Sequence, residues 1–473
     1  MTSLQRRTVA VVCIATAMLM LDIAVVNTAL PHIARDLHSG ITGLQWVVDA
    51  YTVVLAAFVL TTGSLADRFG HRLGLRAGLA LFTVSSVVCA CANSIGVLDA
   101  ARGVQGFGAA IMFATSLAML AAAFPEAKDR AGAFAAYGAS IGASFAIGPL
   151  VGGLLTTELG WRSIFMVNVP LGLAALAGTA VVGESRDPQP RRPDWAGQAL
   201  SAGGLFLLIL ALLRANRIGW SNTTTVTELG VAAALLVAFV VVERLRREPM
   251  LPLGLFKNST FTGAQVAAFG ISATFFAVFF YITLYLQNVL HLSPIRAGLA
   301  LLPATVLLFV VSGASAQMVE RVSHRAMVAG GLALVAVGLA AMTVAGVHSS
   351  WTALLVGEIL AAVGTGVFNP ALAHVAMSEV SGRDNGLAAG VNDTARQMGV
   401  SLGVAVLGVF IPARDALGSG SAAGYVHGLH TALVVGAVVA GAAALASAAL
   451  IRRPGTSPSA ADATTAALAG EAA

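Results

Sequence analysis

Fourteen stretches of 18 to 26 residues stay apolar almost without a break: 8–30, 43–65, 73–93, 98–123, 131–155, 161–182, 196–213, 225–242, 261–286, 296–317, 326–347, 351–376, 388–411 and 428–451. A helix needs about 20 such residues to cross the hydrocarbon of a bilayer, whereas barrel strands would show ~10-residue segments of alternating polarity. These runs are continuous, which predicts an all-α polytopic membrane protein. Only 10% of the 473 residues are charged and 57% are hydrophobic, against about 25% charged in an ordinary soluble domain. Mean hydropathy is +0.85. Cys13, Cys89 and Cys91 all fall in apolar runs and are expected to pack as small core residues. Arg6 and Arg7 precede a run too long for the apolar part of a signal peptide, so that run is expected to stay as the first span.

An even number of spans places both termini on one side. With that side cytoplasmic, and with Arg76, Arg162 and Arg296 at span ends counted with the adjoining loops, 19 of the 27 Lys and Arg are cytoplasmic and six outside, leaving Arg102 and Arg396 within spans. That bias is the one cytoplasmic loops carry. Two of the 27 are lysine, which suggests a GC-rich bacterial genome.

The loop "DRFGHR" (67–72) after the second span returns as "ERVSHR" (320–325) after the tenth, 253 residues on. Two related six-helix halves follow from this, 1–182 and 261–452. A segment 183–260 between them holds a polar linker and two inserted helices, and 453–473 is expected to be a disordered cytoplasmic tail. Membrane proteins built from such repeats place a central site at the midplane between halves.

Ionisable residues inside spans point to function. At ~1.5 Å per residue, Asp22 is ~12 Å below the outer end of the first span, Asp49 ~9 Å below that of the second and Arg102 ~6 Å below that of the fourth. Unpaired, each would cost about 2.5–3.5 kcal/mol on insertion scales, so they are expected to pair around a wet cavity. A dry carboxyl favours its neutral form and an adjacent guanidinium the ionised form. If Arg102 approaches Asp22 more closely in one conformation than in another, Asp22 becomes a proton switch. Glu358, ~10 Å below the outer end of the twelfth span, is the candidate second proton site. Asn27 and Gln105 are candidate substrate contacts, as are Asn392 and Arg396, one turn apart on the thirteenth span. In the ninth span, Phe275/Phe279 and Tyr281/Tyr285 have helical spacing and suit an aromatic wall for a lipophilic cation. In "GASIGASFAIGPLVGG" (138–153), Gly138/Gly142 and Gly148/Gly152 leave one face bare for close helix approach. Pro149 removes a backbone hydrogen bond there and permits a bend.

At these residues the chain resembles the major facilitator superfamily, and within it the fourteen-helix drug:proton antiporters. "LDIAVVNTALPHIARDL" (21–37) and "QWVVDAYTV" (45–53) resemble the first- and second-helix segments of that group. "GSLADRFGHRLGLRAG" (63–78) resembles the superfamily's cytoplasmic loop motif. The resemblance implies that Gly63, Asp67, Arg68, Gly70 and Arg72 gate the inner side, Asp67, Arg68 and Arg72 holding the halves together there and Gly70 giving the tight turn. Glu320, Arg321 and Arg325 stand at the second copy, where Glu320 replaces Asp and Ser323 replaces Gly. "ARGVQGFGAA" (101–110) resembles the fourth-helix motif and implies a proton-transfer role for Arg102. "GASFAIGPLVGG" (142–153), with Gly142, Gly148, Pro149, Gly152 and Gly153, resembles the fifth-helix antiporter motif. "NDTARQMGVSLGVAVLG" (392–408) resembles the thirteenth-helix segment. Asp49 stands where many relatives carry an uncharged residue.

The expected function is proton-coupled efflux of amphipathic drugs or antibiotics across a bacterial plasma membrane by alternating access. The protein is expected to be monomeric, with a small molecule, protons and the bilayer as partners, and with no nucleic acid, cofactor, metal or enzymatic activity. A symporter importing a metabolite is the alternative, although the glycine-proline face at 138–153 and the lack of a dense cationic cluster oppose it. A membrane enzyme or signalling protein finds no nucleotide loop, since "GVQGFG" lies inside a span and follows no strand.

Overall fold

The computed structural model describes residues 1–124, 126–186, 193–246, 248–319, 321–378, 385–412 and 421–452. Among them every regular element is helical. The first four are α1 (Ser3–Asp36), α2 (Ile41–Phe69), α3 (His71–Ala90) and α4 (Ile95–Ala123). Then come α5 (Ala127–Leu159), the short α6 (Ser163–Met166) leading into α7 (Asn168–Gly178), α8 (Trp195–Ile218) and α9 (Thr223–Leu245). The ninth crossing is α10 (Ser259–Ile271), a π-helical turn Ser272–Phe276, α11 (Ala277–Leu284) and a second π turn Tyr285–Val289. The remainder are α12 (Pro294–Ala316), α13 (His324–Ala341), α14 (Thr352–Ser378), α15 (Asn385–Gly408) and α16 (Ala422–Leu450).

These make the fourteen expected crossings. Thirteen are long and apolar enough to span a bilayer; the other, α15, is interrupted by Asn392, Asp393, Arg396 and Gln397. Local sequence sets the ends. Thr2 and Gln5 form a capping box on α1, Ser94 caps α4, and Ser293 caps α12 with Pro294 in its first turn, satisfying amide groups that a helix start leaves free. The helix α1 continues six residues past the predicted boundary, to Asp36. Asp22 therefore stands ~21 Å from its outer end rather than ~12 Å.

Glycine lets helix backbones meet in both repeats. A Cβ on Gly78 of α3 would sit 3.0 Å from Gly108 O of α4, and one on Gly331 of α13 would sit 2.6 Å from Gly364 O of α14. Between the two groups of helices, α5 packs on α12 and α2 on α15, while α8 and α9 pair with each other and α8 rests on α2 and α15. Of the cysteines, Cys89 is buried but Cys91, at the end of α3, is exposed, because the helix stops one residue before it. Glu320, the tail 453–473 and Arg191, Arg192, Arg247, Arg383, Arg414 and Arg453 lie outside the described residues.

Candidate functional site: a buried ion pair beside an aromatic cavity

Asp22 on α1 and Arg102 on α4 meet: Arg102 Nη1 donates to Asp22 Oδ2 at 2.5 Å. Neither is more than 2% exposed. Arg102 Nη1 also donates to Gln105 Oε1 at 2.7 Å, and Nε donates to the Val47 carbonyl at 2.9 Å. The guanidinium lies over the Tyr51 ring, 4.3 Å from its centroid. The second carboxylate oxygen accepts from Gln105 Nε2 at 3.0 Å and Asn168 Nδ2 at 2.8 Å. Ser86 Oγ accepts from both of those amides. Asp22 is therefore met by donors alone, the coordination an ionised carboxylate takes. A buried pair is tolerated only when its remaining polar atoms are satisfied in this way.

Gln105 thus belongs to the ion-pair network, not to the cavity wall where a substrate contact was expected. Asn168, Ser86 and Tyr51 complete the site and were not singled out from sequence. Asp49 is buried but joins no hydrogen bond with Asp22 or Arg102; the side chain it faces is Ser401 of α15. It lies on α2 between Gln45 and Thr52, both bonded to α15.

Beside Arg102 a narrow cavity of about 40 Å³ opens between the two groups of helices, which a drug-sized cargo would have to widen. Its wall is phenylalanine: Phe145 from α5, and Phe276, Phe279 and Phe280 from the ninth crossing. Phe145 packs on Phe276 and Phe279 at 5.3 and 6.0 Å between centroids. Asn27 and Gln397 supply polar edges. Asn27 Oδ1 and Tyr51 Oη are buried without a partner, leaving two polar atoms free on residues of the wall.

The expected wall was different. Phe279 holds its place, but Phe275, Tyr281 and Tyr285 do not line the cavity. The π turn at Ser272–Phe276 adds residues to the helical repeat, so faces read at i, i+4 slip. Tyr281 Oη accepts from Gln45 Nε2 at 3.1 Å and donates to the Val404 carbonyl, while Tyr285 Oη donates to Gly346 O. Asn392 donates to Gln265 at 3.3 Å and Arg396 to Asn369 at 2.8 Å, so both point into helix packing. Their neighbour Gln397 is the cavity residue. Glu358 is buried on α14, outside the cavity wall.

The outer side of the cavity is closed. Gln287 Nε2 donates to Thr28 O at 2.7 Å, and Thr305 Oγ1 to Ala146 O at 2.7 Å. The glycines of 138–153 serve two faces, not one. Gly148 and Gly152 abut Ala24, Val25 and Thr28 of α1, whereas Gly142 meets Phe309 and Gly153 meets Pro294 and Ile295 of α12. Toward the cytoplasm this flank parts: Gly138 on α5 and Gly313 on α12 have nothing within 4 Å. The other flank stays together down to Leu60 and Gly390.

The loop 63–78 was expected to tie the halves together. Here it holds to the end of the sixth crossing instead. His71 Nε2 bonds Asp67 at 2.9 Å and its Nδ1 bonds Ser185 at 3.0 Å. Arg72 donates from its backbone to Glu184 at 3.0 Å and from Nη1 to Val182 O at 3.1 Å. Arg68 is exposed beside Phe69, and Gly63 packs on Ala114 of α4. In the second copy Arg321 is exposed and Arg325 half-buried, and His324 stacks on His374 at 4.3 Å. Among the described residues, the bonds of Asp67, His71 and Arg72 all stay within the first half.

Gly70 turns at φ +113°, and a Cβ there would also lie 2.7 Å from Glu184 Oε1. Gly70→Ala is expected to lose roughly 1–3 kcal/mol of stability, visible as a lower Tm in detergent.

Fourteen crossings around a central cavity with a buried charge pair define a polytopic membrane protein of the transporter class. The chain belongs to the major facilitator superfamily, whose model matches residues 12–404. It is 38% identical to "Multidrug resistance protein Stp" of Mycobacterium tuberculosis, over 84% of this chain and 74% of that one. It is 34% identical to the "Tetracenomycin C resistance and export protein" of Streptomyces glaucescens, over 86% and 76% of the two chains. To "Puromycin resistance protein pur8" of Streptomyces alboniger it is 34% identical over 91% and 86%. The crystal structure of the human organic anion transporter MFSD10 shares the fold, with a TM-score of 0.64 at 14% identity, covering 94% of this chain and all of that one. The chain is a multi-pass protein of the bacterial plasma membrane.

Proposed function

We propose that the protein exports amphipathic small molecules from the cytoplasm in exchange for protons, by alternating access between halves 1–182 and 261–452. The observation that carries this reading is the Asp22–Arg102 pair at the edge of a phenylalanine-walled cavity. The names of the relatives, resistance and export proteins for several antibiotics, support the substrate class. In the outer-closed arrangement Asp22 is engaged by three donors and has no need of a proton. When the outer side opens, a proton from outside takes the carboxylate, frees Arg102 and lowers the hold on a cationic or polar cargo. Return to the outer-closed state re-forms the pair and expels the proton inward. One charge crossing ~100 mV yields about 2.3 kcal/mol, enough for a roughly 50-fold gradient of a neutral cargo at ~1.4 kcal/mol per decade.

The test is fluorescence of a pH-sensitive dye in everted vesicles energised by respiration. Addition of lipophilic cations and antibiotics is expected to release protons from wild-type vesicles. Uptake of a labelled metabolite together with protons, and no release by any drug, would replace export by symport. Phe279→Ala is expected to raise the half-saturating concentration of a lipophilic cation roughly fivefold, from loss of about 1 kcal/mol of ring contact. A neutral cargo of equal size should be affected less.

A further inference from the structure

At the cytoplasmic base of the α8–α9 hairpin two carboxyl groups are buried face to face. Asp194 caps α8, with Oδ1 accepting from Gly197 N at 2.7 Å and from Arg246 Nη1 at 3.0 Å. Glu243, in the last turn of α9, accepts from Leu251 N through Oε2 at 2.8 Å. Each residue is 2% exposed. Each also has one oxygen to spare: Asp194 Oδ2 and Glu243 Oε1 have no partner. Those two oxygens converge on the bare side of Gly197, where a Cβ would overlap Glu243 Oε1 and lie 2.9 Å from Asp194 Oδ2. The next residue, Gln198, accepts a hydrogen bond from Thr61 Oγ1 of α2 through Oε1. The base of the hairpin is thereby tied to the helix that packs on α15.

Charge decides what this arrangement can hold. Arg246 is the cation paired with Asp194, and Asp194 and Arg246 are the charged groups that act on Glu243. Among the described residues the face of α2 supplies Thr61 and the segment 248–251 supplies Met250 beside it, both uncharged, while Glu248 of that segment has a partner of its own. Two ionised carboxylates against one guanidinium would leave a net negative charge out of water. Like charges so close do not both ionise readily, and an uncompensated buried charge is strongly destabilising. One proton brings the sum to zero. It also provides the donor that the two spare oxygens lack, and such a proton belongs to the pair as a unit.

We propose that Asp194 and Glu243 form a one-proton site, filled from the cytoplasm, that fastens the inserted α8–α9 hairpin to α2 and releases it when the proton leaves. The site is separate from Asp22 and does not depend on the antiport reading. The hairpin becomes a sensor of cytoplasmic pH that acts on an inter-half helix.

Two measurements on the full chain test it. In the infrared spectrum of the wild type at neutral pH, the stretch of a protonated carboxyl is expected. E243Q should lose one component of that band and D22N should retain it, the remainder belonging to other buried carboxyls such as Asp49 and Glu358. Spin labels at Ala196→Cys and Phe69→Cys, with Cys13, Cys89 and Cys91 replaced, should show the α8–α2 distance widening in the wild type as pH rises. E243Q keeps a neutral hydrogen-bonding group and should hold the short distance throughout. A carboxyl band unchanged by E243Q, or a wild-type distance indifferent to pH across the neutral range, overturns the proposal. Asp194→Asn keeps an acceptor for the α8 cap and serves as the second variant should E243Q fold poorly. It too should hold the short distance at every pH.

Discussion

Asp22→Asn is expected to reach the membrane and to release no protons from energised vesicles on addition of any drug. The substitution removes the one ion-pair partner that the buried Arg102 guanidinium has among the described residues. A guanidinium stays charged, so the loss leaves a buried, unpaired cation, typically costing about 3–5 kcal/mol. Arg102→Ala has the same effect on exchange but a smaller effect on stability, because the orphaned Asp22 can neutralise itself by binding a proton. The two variants should therefore be alike in the dye assay and unlike in thermal melting, with Asp22→Asn melting lower. Exchange by Asp22→Asn at close to the wild-type rate would remove the pair from the mechanism. Equal melting of the two variants would show that an orphaned Asp22 and an orphaned Arg102 cost the fold alike.

The second large effect is expected at Gly298, on the outer seal. A Cβ there would overlap the carbonyl oxygen of Pro149 and lie 2.8 Å from its carbon, both backbone atoms that cannot swing aside. Overpacking of this kind costs about 1–3 kcal/mol, and in Gly298→Val it falls on the outer-closed state alone. A cost of about 2 kcal/mol shifts the balance toward the outer-open state roughly 30-fold. A cysteine placed at Val400, on the cavity wall, reports this through its reaction with a membrane-impermeant maleimide added outside. Labelling should speed up at least tenfold in Gly298→Val and transport should fall in step. Gly230→Val, on the exposed face of α9, is the control, since Gly230 has nothing within 4 Å and should change neither.

What the chain disclosed in advance followed cost. Charges are rare and expensive in hydrocarbon, so Asp22 and Arg102 stood out, and the structure joins them. Asn168 and Ser86 complete the same network but are neutral, and neutral polar groups are common enough in spans to carry no signal. Apolar runs located all fourteen crossings, yet the aromatic wall slipped because a π turn leaves no mark in residue type. Phe276 and Phe280 stand where Phe275 and Tyr281 were expected. The bare glycines of α5 were legible as close contacts, but sequence spacing does not say which neighbour each one meets. The loop 63–78 bonds to 179–185, and no residue type within the loop singles out that partner.

The two π turns that bracket α11 bear on how such a cavity can change over generations. Each residue of an α-helix turns it by about 100°, so deleting one residue within Ser272–Phe276 would rotate all of Ala277–Leu284 as a block. Phe279 and Phe280 would leave the wall together and their neighbours would replace them. Point substitutions revise such a wall one side chain at a time. A single lost codon would redraw it at once, and the crossing would remain a continuous helix.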